Sequence, residues 1–387
     1  MNNLQKKDFT LRYASTSLYF GVNAIDKVKD SIKHYSRALI AMGKTSGRVS
    51  GAFSDVEKVL KDIGISYIVY DKVTPNPWAS QAEELAQIVW SEGVDLIIAI
   101  GGGSPIDVAK VASVIALSGG RVKDYVTGTR KPIRALPLLA INLTHGTGTE
   151  VDRYAVVTLD DSREKHGLSI KYPEISIDDP RYTITLDKKQ TIYTSLDAFY
   201  HSYEAITSTV SNPFIETMAK ESISIIASDL QKLVNDLRNL DLRTNMMYAA
   251  MLAGIAIDMG STHINHAIEH VLSGLEPKLP HACGLALTGP RMVYYVHKAV
   301  PELSAKALRF LDPEIKPLST YAEKAQEAVR EFQRSIGFEE RLSDYGFTDK
   351  DLDKIIEYLF KRLKYMYSNT PFEVTMDIVK DIVKYAL

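Results

Sequence analysis

The chain has 387 residues, enough for about two domains of ordinary size, and its 45% apolar content suffices to bury two cores. Its 46 Lys and Arg against 48 Asp and Glu leave a formal charge of -2, without the clustered, uncompensated positive charge that a nucleic-acid partner would need. The single cysteine, Cys283, cannot close an internal disulfide, and the opening MNNLQKKDF lacks the apolar core of a secretory signal, so a cytoplasmic protein is expected.

In chain order, Arg37–Met42 (RALIAM) predicts a strand, and SGAFSDVEKVLKDIG (50–64) carries apolar residues at helical spacing. Residues 65–70 predict a second strand and Ala79–Glu92 a helix with a charged face. The run 94–100 (VDLIIAI) is almost continuously apolar, as befits a strand buried on both faces; broken by Asp95, it is far short of the roughly twenty residues a membrane span needs, so no membrane partner is expected. Residues 136–142 predict a strand, and residues 154–159 start a hairpin around DDSREK. From about Thr191 onward the texture turns helical, through 194–210, 213–237, 244–259 and 262–273. The expected architecture is an α/β parallel-sheet domain over 1–186 and an all-α domain over 187–387, with the polar run DKKQT after Leu186 as connection.

Two glycine turns follow predicted strands. In IAIGGGSPIDVAK (98–110) the glycines allow close backbone approach to a phosphate, the helix start favours an anion, and Ser104 and Pro105 fit the cap and first turn. A tight strand-to-helix turn uses glycines for its own reasons too, so this cluster by itself divides evenly between the two. The second turn, THGTGTE (144–150), alternates Gly146 and Gly148 with Thr147 and Thr149 and offers both N–H and hydroxyl donors. Neither turn has the GxGxxG spacing of an ordinary dinucleotide fingerprint.

In the helical half, Asp197 and His201 stand four apart in SLDAFYHSYEA, one turn along one helix face. His266 and His270 repeat the spacing, and His281 follows in LPHACG. An Asp/His or His/His pair at this spacing is more often a surface pair than a metal clip. The two pairs and the loop histidine together shift the balance, and three imidazoles with one carboxylate suit Fe(II) or Zn(II) better than Mg(II) or Ca(II). His263 fits a surface or core histidine.

These segments, in this order, resemble the iron-containing (group III) alcohol dehydrogenase family, related to glycerol dehydrogenases and dehydroquinate synthases. The likeness runs through TSLYFGVNAIDKV, TPNP, GGGSPIDVAK, GTGTEV, IDDPRYT, DAFYH, HAIEHVLSG, PHACG and NTPFEVTMDIV. It implies a dehydroquinate synthase-like fold with a Rossmann-like dinucleotide-binding domain, and an NAD(P)-dependent alcohol dehydrogenase or aldehyde reductase. By the resemblance Asp197, His201, His266 and His281 are the metal ligands and His270 lies near nicotinamide and substrate. Gly102, Gly103, Ser104 and Asp107 would line the cofactor diphosphate, with Thr144 and Thr147 on the second turn, Asn76 in TPNP, and Lys165 beside the ribose. A homodimer is implied, through the strand near Leu18 to Phe20. The chain departs from the common PTTAGTGSE, carrying Asn142, Leu143 and His145, and has PHA where PHG is usual.

After the first strand stands MGKTSG, where an acidic residue would select NAD. Gly43 leaves room and Lys44, Thr45 and Ser46 supply donors, which points to NADP(H). Rival readings are a zinc-dependent polyol dehydrogenase, a lyase of the dehydroquinate-synthase kind, which needs a basic pocket absent around the histidines, and a non-catalytic metal-binding scaffold.

Overall fold

The structure, a computed structural model, describes residues 14–387; the opening MNNLQKKDF, and the expectation attached to it, lie outside the described residues. The chain folds into two compact units, one of residues 14–187 with Leu237–Met247, the other of Lys188–Asp236 with Tyr248–Leu387.

The first unit is built on strands β1 (Ser17–Phe20), β2 (Arg37–Met42), β3 (Ser66–Tyr70), β4 (Leu96–Gly101), β5 (Leu138–Asn142) and β8 (Ile175–Asp178). They form one parallel sheet in the order β1-β8-β5-β4-β2-β3, and β6 (Tyr154–Thr158) pairs antiparallel with β7 (Lys165–Ser169) as a separate hairpin. Its helices are α1 (Lys29–Ile32), α2 (Ser46–Val49), α3 (Ala52–Ile63), α4 (Ala79–Glu92), α5 (Gly103–Ser118) and α6 (Val122–Val126).

Alternation along the strands makes two cores from one sheet. Leu39, Ala41, Ile97, Ala99, Leu138 and Ala140 pack with residues of α4 and α5, while Ala38, Ile40, Met42, Ile98, Ile100 and Ile141 pack with α3. All six residues of β4 are buried because the strand lies between β2 and β5 with both faces covered. β8 has only four residues, too few to display a period, and had no counterpart among the predicted strands.

The second unit holds α7 (Lys188–Thr207), α8 (Pro213–Asn235), most of α9 (Leu240–Gly260), α10 (Ile264–Leu275), α11 (His281–Ala299), α12 (Pro301–Leu308), α13 (Ala322–Ser335), α14 (Leu352–Arg362) and α15 (Met376–Ala386). α7 is buried almost throughout its second half, which explains why its sequence shows little amphipathic contrast there.

Three expectations are corrected. Most of the DKKQT run is the first turn of α7 and not a linker, since Lys188 already opens that helix. The segment Leu237–Met247 groups with the α/β unit, where buried Arg243 bonds the Leu186 carbonyl and His145 Nε2, each at 3.0 Å. Ser104 is no cap: the cap position of α5 is Gly102, which places Ser104 and Pro105 inside the first turn.

Helix contact in the second unit depends on Gly289 of α11. A Cβ there would lie 2.1 Å from Cζ of Tyr200, a fully buried ring on α7 whose hydroxyl accepts from Gln333 at 2.9 Å. Gly289→Ala should therefore cost about 2 kcal/mol through overpacking, seen as a lowered urea midpoint with unchanged slope. A midpoint equal to that of the unaltered protein would contradict this packing.

Candidate functional site

Four titratable side chains meet inside the helical unit. Asp197 and His201 project from one face of α7, and Asp197 Oδ1 lies 3.6 Å from His201 Nε2 and 3.8 Å from His281 Nε2. The His201 and His266 rings stack at 4.7 Å between centroids, with 18° between planes, and the His266 and His281 rings are 5.5 Å apart. Asp197, His201 and His266 present ligand atoms all within 4.8 Å of one another; Glu269, His270 and His281 form a second such group.

Asp197 Oδ1 and His266 Nε2 are buried and have no hydrogen-bond partner among the described residues. A carboxylate oxygen and a ring nitrogen left so at one place are costly unless a cation joins them. The donor set fits a borderline divalent metal.

The rings are aimed by two carboxylates, Glu204 and Glu269, that spacing along one helix does not reveal. His266 Nδ1 hydrogen-bonds Glu204 Oε2, and His281 Nδ1 hydrogen-bonds Glu269 Oε2. A proton held at Nδ1 fixes the tautomer that leaves a lone pair on Nε2. Glu204 is itself held by the backbone N–H groups of His263 and Asn265, at 3.1 and 2.8 Å, and its Oε1 lies 2.9 Å from His263 Nδ1. Burial alone would raise the Glu204 carboxyl, but the charges and hydrogen bonds of His263 and His266 hold it well below the carboxylate range. For His266 burial lowers proton affinity and the charge of Glu204 more than restores it, so the ring ends above its ordinary value. His263 is thus a fully buried partner of the site's carboxylate, not an idle surface group.

The first turn of α11 is braced against α7 as well. Glu340 accepts from Tyr193 Oη at 2.7 Å and from Cys283 Sγ at 3.0 Å, so the residues four before Asp197 and two after His281 share one anchor. His270 is 3% exposed and its ring lies 5.6 Å from that of His281.

In the α/β unit the two glycine turns interlock. A Cβ on Gly102 would lie 2.8 Å from Thr144 Cγ2, and one on Gly103 would lie 2.9 Å from Thr147 Cγ2. These glycines are thus required by the second turn as much as by any ligand. Asp107 is bonded inside the fold, accepting from Thr149 Oγ1 at 2.7 Å and from the Val156 N–H at 3.0 Å, and burial pushes its carboxyl up to about 6. Lys110, also fully buried, donates to Thr149 Oγ1, the Asp152 carboxylate and the Tyr154 carbonyl. Leu143 is 3% exposed and belongs to the core under the sheet, and it has no hydroxyl to offer a ligand. After β2, Gly43 is half-buried and Lys44, Thr45 and Ser46 are exposed. Lys165 Nζ donates to Asn76 Oδ1 at 3.2 Å, and Asn76 has left-handed backbone with φ of 48°.

The family model for iron-containing alcohol dehydrogenase matches residues 15–180, and that for the C-terminal part of the Fe-containing alcohol dehydrogenase family matches residues 191–387. The long-chain primary alcohol dehydrogenase AdhA of Thermoanaerobacter ethanolicus is 38% identical over 386 residues, covering 97% of this chain and 96% of that protein. An alcohol dehydrogenase from an archaeal halo-thermophile of a Red Sea brine pool superposes with a TM-score of 0.93 at 26% identity, over 99% of this chain and 100% of that one. The NADH-dependent butanol dehydrogenase A of Thermotoga maritima gives a TM-score of 0.90 at 28% identity, over 98% of both chains.

Glu204→Gln keeps the shape of the buried side chain and removes its charge. Metal affinity, measured by competition with a chelator, should fall about 10–100-fold, the usual effect of losing a carboxylate behind a ligating histidine. Undiminished affinity would show that the Glu204–His266 bond has no bearing on the cation.

Proposed function

The chain belongs to the iron-containing alcohol dehydrogenase family, and from that membership we propose that Asp197, His201, His266 and His281 hold its metal and that its cofactor is NADP(H). The protein is a metal-dependent, nicotinamide-linked oxidoreductase of alcohols and aldehydes, and the polyol dehydrogenase and lyase alternatives are not favoured. The observation that carries the ligand assignment is the pair of orphaned buried atoms, Asp197 Oδ1 and His266 Nε2.

When bound, the cation supplies a Lewis acid that stabilises the charge developing on the substrate oxygen during hydride transfer. The protein's own groups do the rest. Asp197 contributes the one anionic ligand, and Glu204 and Glu269 keep the protons of His266 and His281 on Nδ1. Iron is the family's metal; Zn(II) would accept the same donors, and availability decides between them. His270, close to His281, relays or positions the proton of the substrate hydroxyl.

Gly102, Gly103 and Ser104 would hold the cofactor diphosphate, since the N–H groups and positive end of α5 favour an anion. Thr144 and Thr147 complete this cradle, while Asp107 serves it through the turn that it braces. Asn76 and Lys165 belong to the ribose side. Gly43 and Lys44 leave space and charge for a 2'-phosphate, although the Thermotoga relative is named for NADH. Primary alcohols and their aldehydes are the substrate class, following the Thermoanaerobacter relative's name. β1, an edge strand of the sheet, is where a second copy would pair in a homodimer. The lone buried Cys283 suits a reducing cytoplasm.

Steady-state kinetics on the anaerobically purified, iron-loaded enzyme should give a kcat/KM for NADPH above that for NADH. Lys44→Ala should lower the NADPH value by about tenfold, the weight of one charge-assisted hydrogen bond, and leave NADH nearly unchanged. Preference for NADH would overturn the NADP(H) assignment.

A further inference from the structure

The second glycine turn is held at both ends by bonds within the α/β unit. At its start the Thr144 N–H donates to Asn142 Oδ1 at 3.0 Å, and at its end Thr149 Oγ1 donates to Asp107. Between these anchors lie Gly146 and Gly148, the latter in left-handed backbone with φ of 67°, and glycines leave a turn many conformations to lose. His145 stands inside this stretch. Its side chain is fully buried, and its Nε2 is 3.0 Å from Nη1 of Arg243, a guanidinium that is also fully buried. The same guanidinium donates to the carbonyls of Leu186 and Leu237, so it is already fixed at two points before it meets the turn.

Arginine is always a donor, so His145 must accept through Nε2 and carry its proton on Nδ1. Burial, reinforced by the Arg243 charge, lowers the ring to about 3, and it stays a neutral acceptor across the working pH range.

We propose that His145 is a positioning residue for the nicotinamide cofactor: bonded to Arg243, it holds Thr144 and Thr147 in the arrangement the diphosphate needs. This rests on the assignment of those threonines to the cofactor. A turn ordered in advance loses less entropy on binding, so the His145–Arg243 bond appears as affinity and not as chemistry.

The test measures the dissociation constant of NADPH for the metal-loaded protein by nicotinamide fluorescence, together with the split between KM and kcat. His145→Ala should raise the dissociation constant and KM on the order of tenfold, the worth of one hydrogen bond to a charged group, with the loss confined to KM. His145→Gln, whose amide oxygen can accept from Arg243, should bind NADPH like the unaltered protein, a rescue that bulk destabilisation would not predict. Arg243→Lys, which keeps the charge but not the fork, should weaken binding as His145→Ala does, and decides the matter if the alanine variant does not fold. Thr147→Val separates the two layers. If it weakens NADPH while His145→Ala does not, or if His145→Gln is as weak as His145→Ala, the positioning role is wrong and the threonine assignment stands. If neither Thr147→Val nor His145→Ala changes the dissociation constant, both are wrong.

Discussion

Two buried carboxylates hold two imidazoles by the far nitrogen, and the site follows from that. Glu204 occupies Nδ1 of His266 and Glu269 occupies Nδ1 of His281, so neither ring can turn its protonated edge toward Asp197. With His201 stacked on His266, the near edges enclose a buried place where Asp197 Oδ1 and His266 Nε2 have no hydrogen-bond partner among the described residues. A protein interior does not ordinarily tolerate this combination, and a divalent cation resolves it with the lone pairs and charge already in position. The pairing also crosses helices. Glu204 on α7 serves a histidine of α10, and Glu269 on α10 serves a histidine of α11, so the bonds that orient the rings also lock three helices together.

The α/β unit solves a different problem with the same economy of parts. Its two glycine turns approach so closely that Thr144 and Thr147 fill the space where Cβ atoms at positions 102 and 103 would go. Asp107 and Lys110 reach from α5 to Thr149 and to the start of the hairpin, which ties helix, turn and β6 into one buried polar network with its members satisfied. The backbone there is preorganised by contacts that a glycine count does not reveal.

Much of this was legible in the sequence, for reasons that differ by element. β2 and α4 lie where hydrophobic periodicity placed them, because a buried strand and a half-exposed helix write strong, opposite patterns. The spacing of Asp197 and His201 was enough to put them on one face, since a helix leaves no choice. The partners were harder. Glu204 stands three residues after His201 and Glu269 three after His266, yet spacing along one helix cannot tell that each serves a histidine on a different one. β8 is too short to show a period, and Gly102 rather than Ser104 takes the cap position of α5. Arg243 falls between the predicted helical stretches 213–237 and 244–259, and only the fold shows it buried against His145.

The central claim is that four side chains of the helical unit bind one cation. Anomalous diffraction at the iron edge, on crystals of protein purified and loaded with Fe(II) without oxygen, tests it most directly. The account predicts one strong peak within coordinating distance of Asp197 and of the Nε2 atoms of His201, His266 and His281. A loaded protein whose iron peak lies elsewhere, or whose four side chains surround no peak, would contradict it.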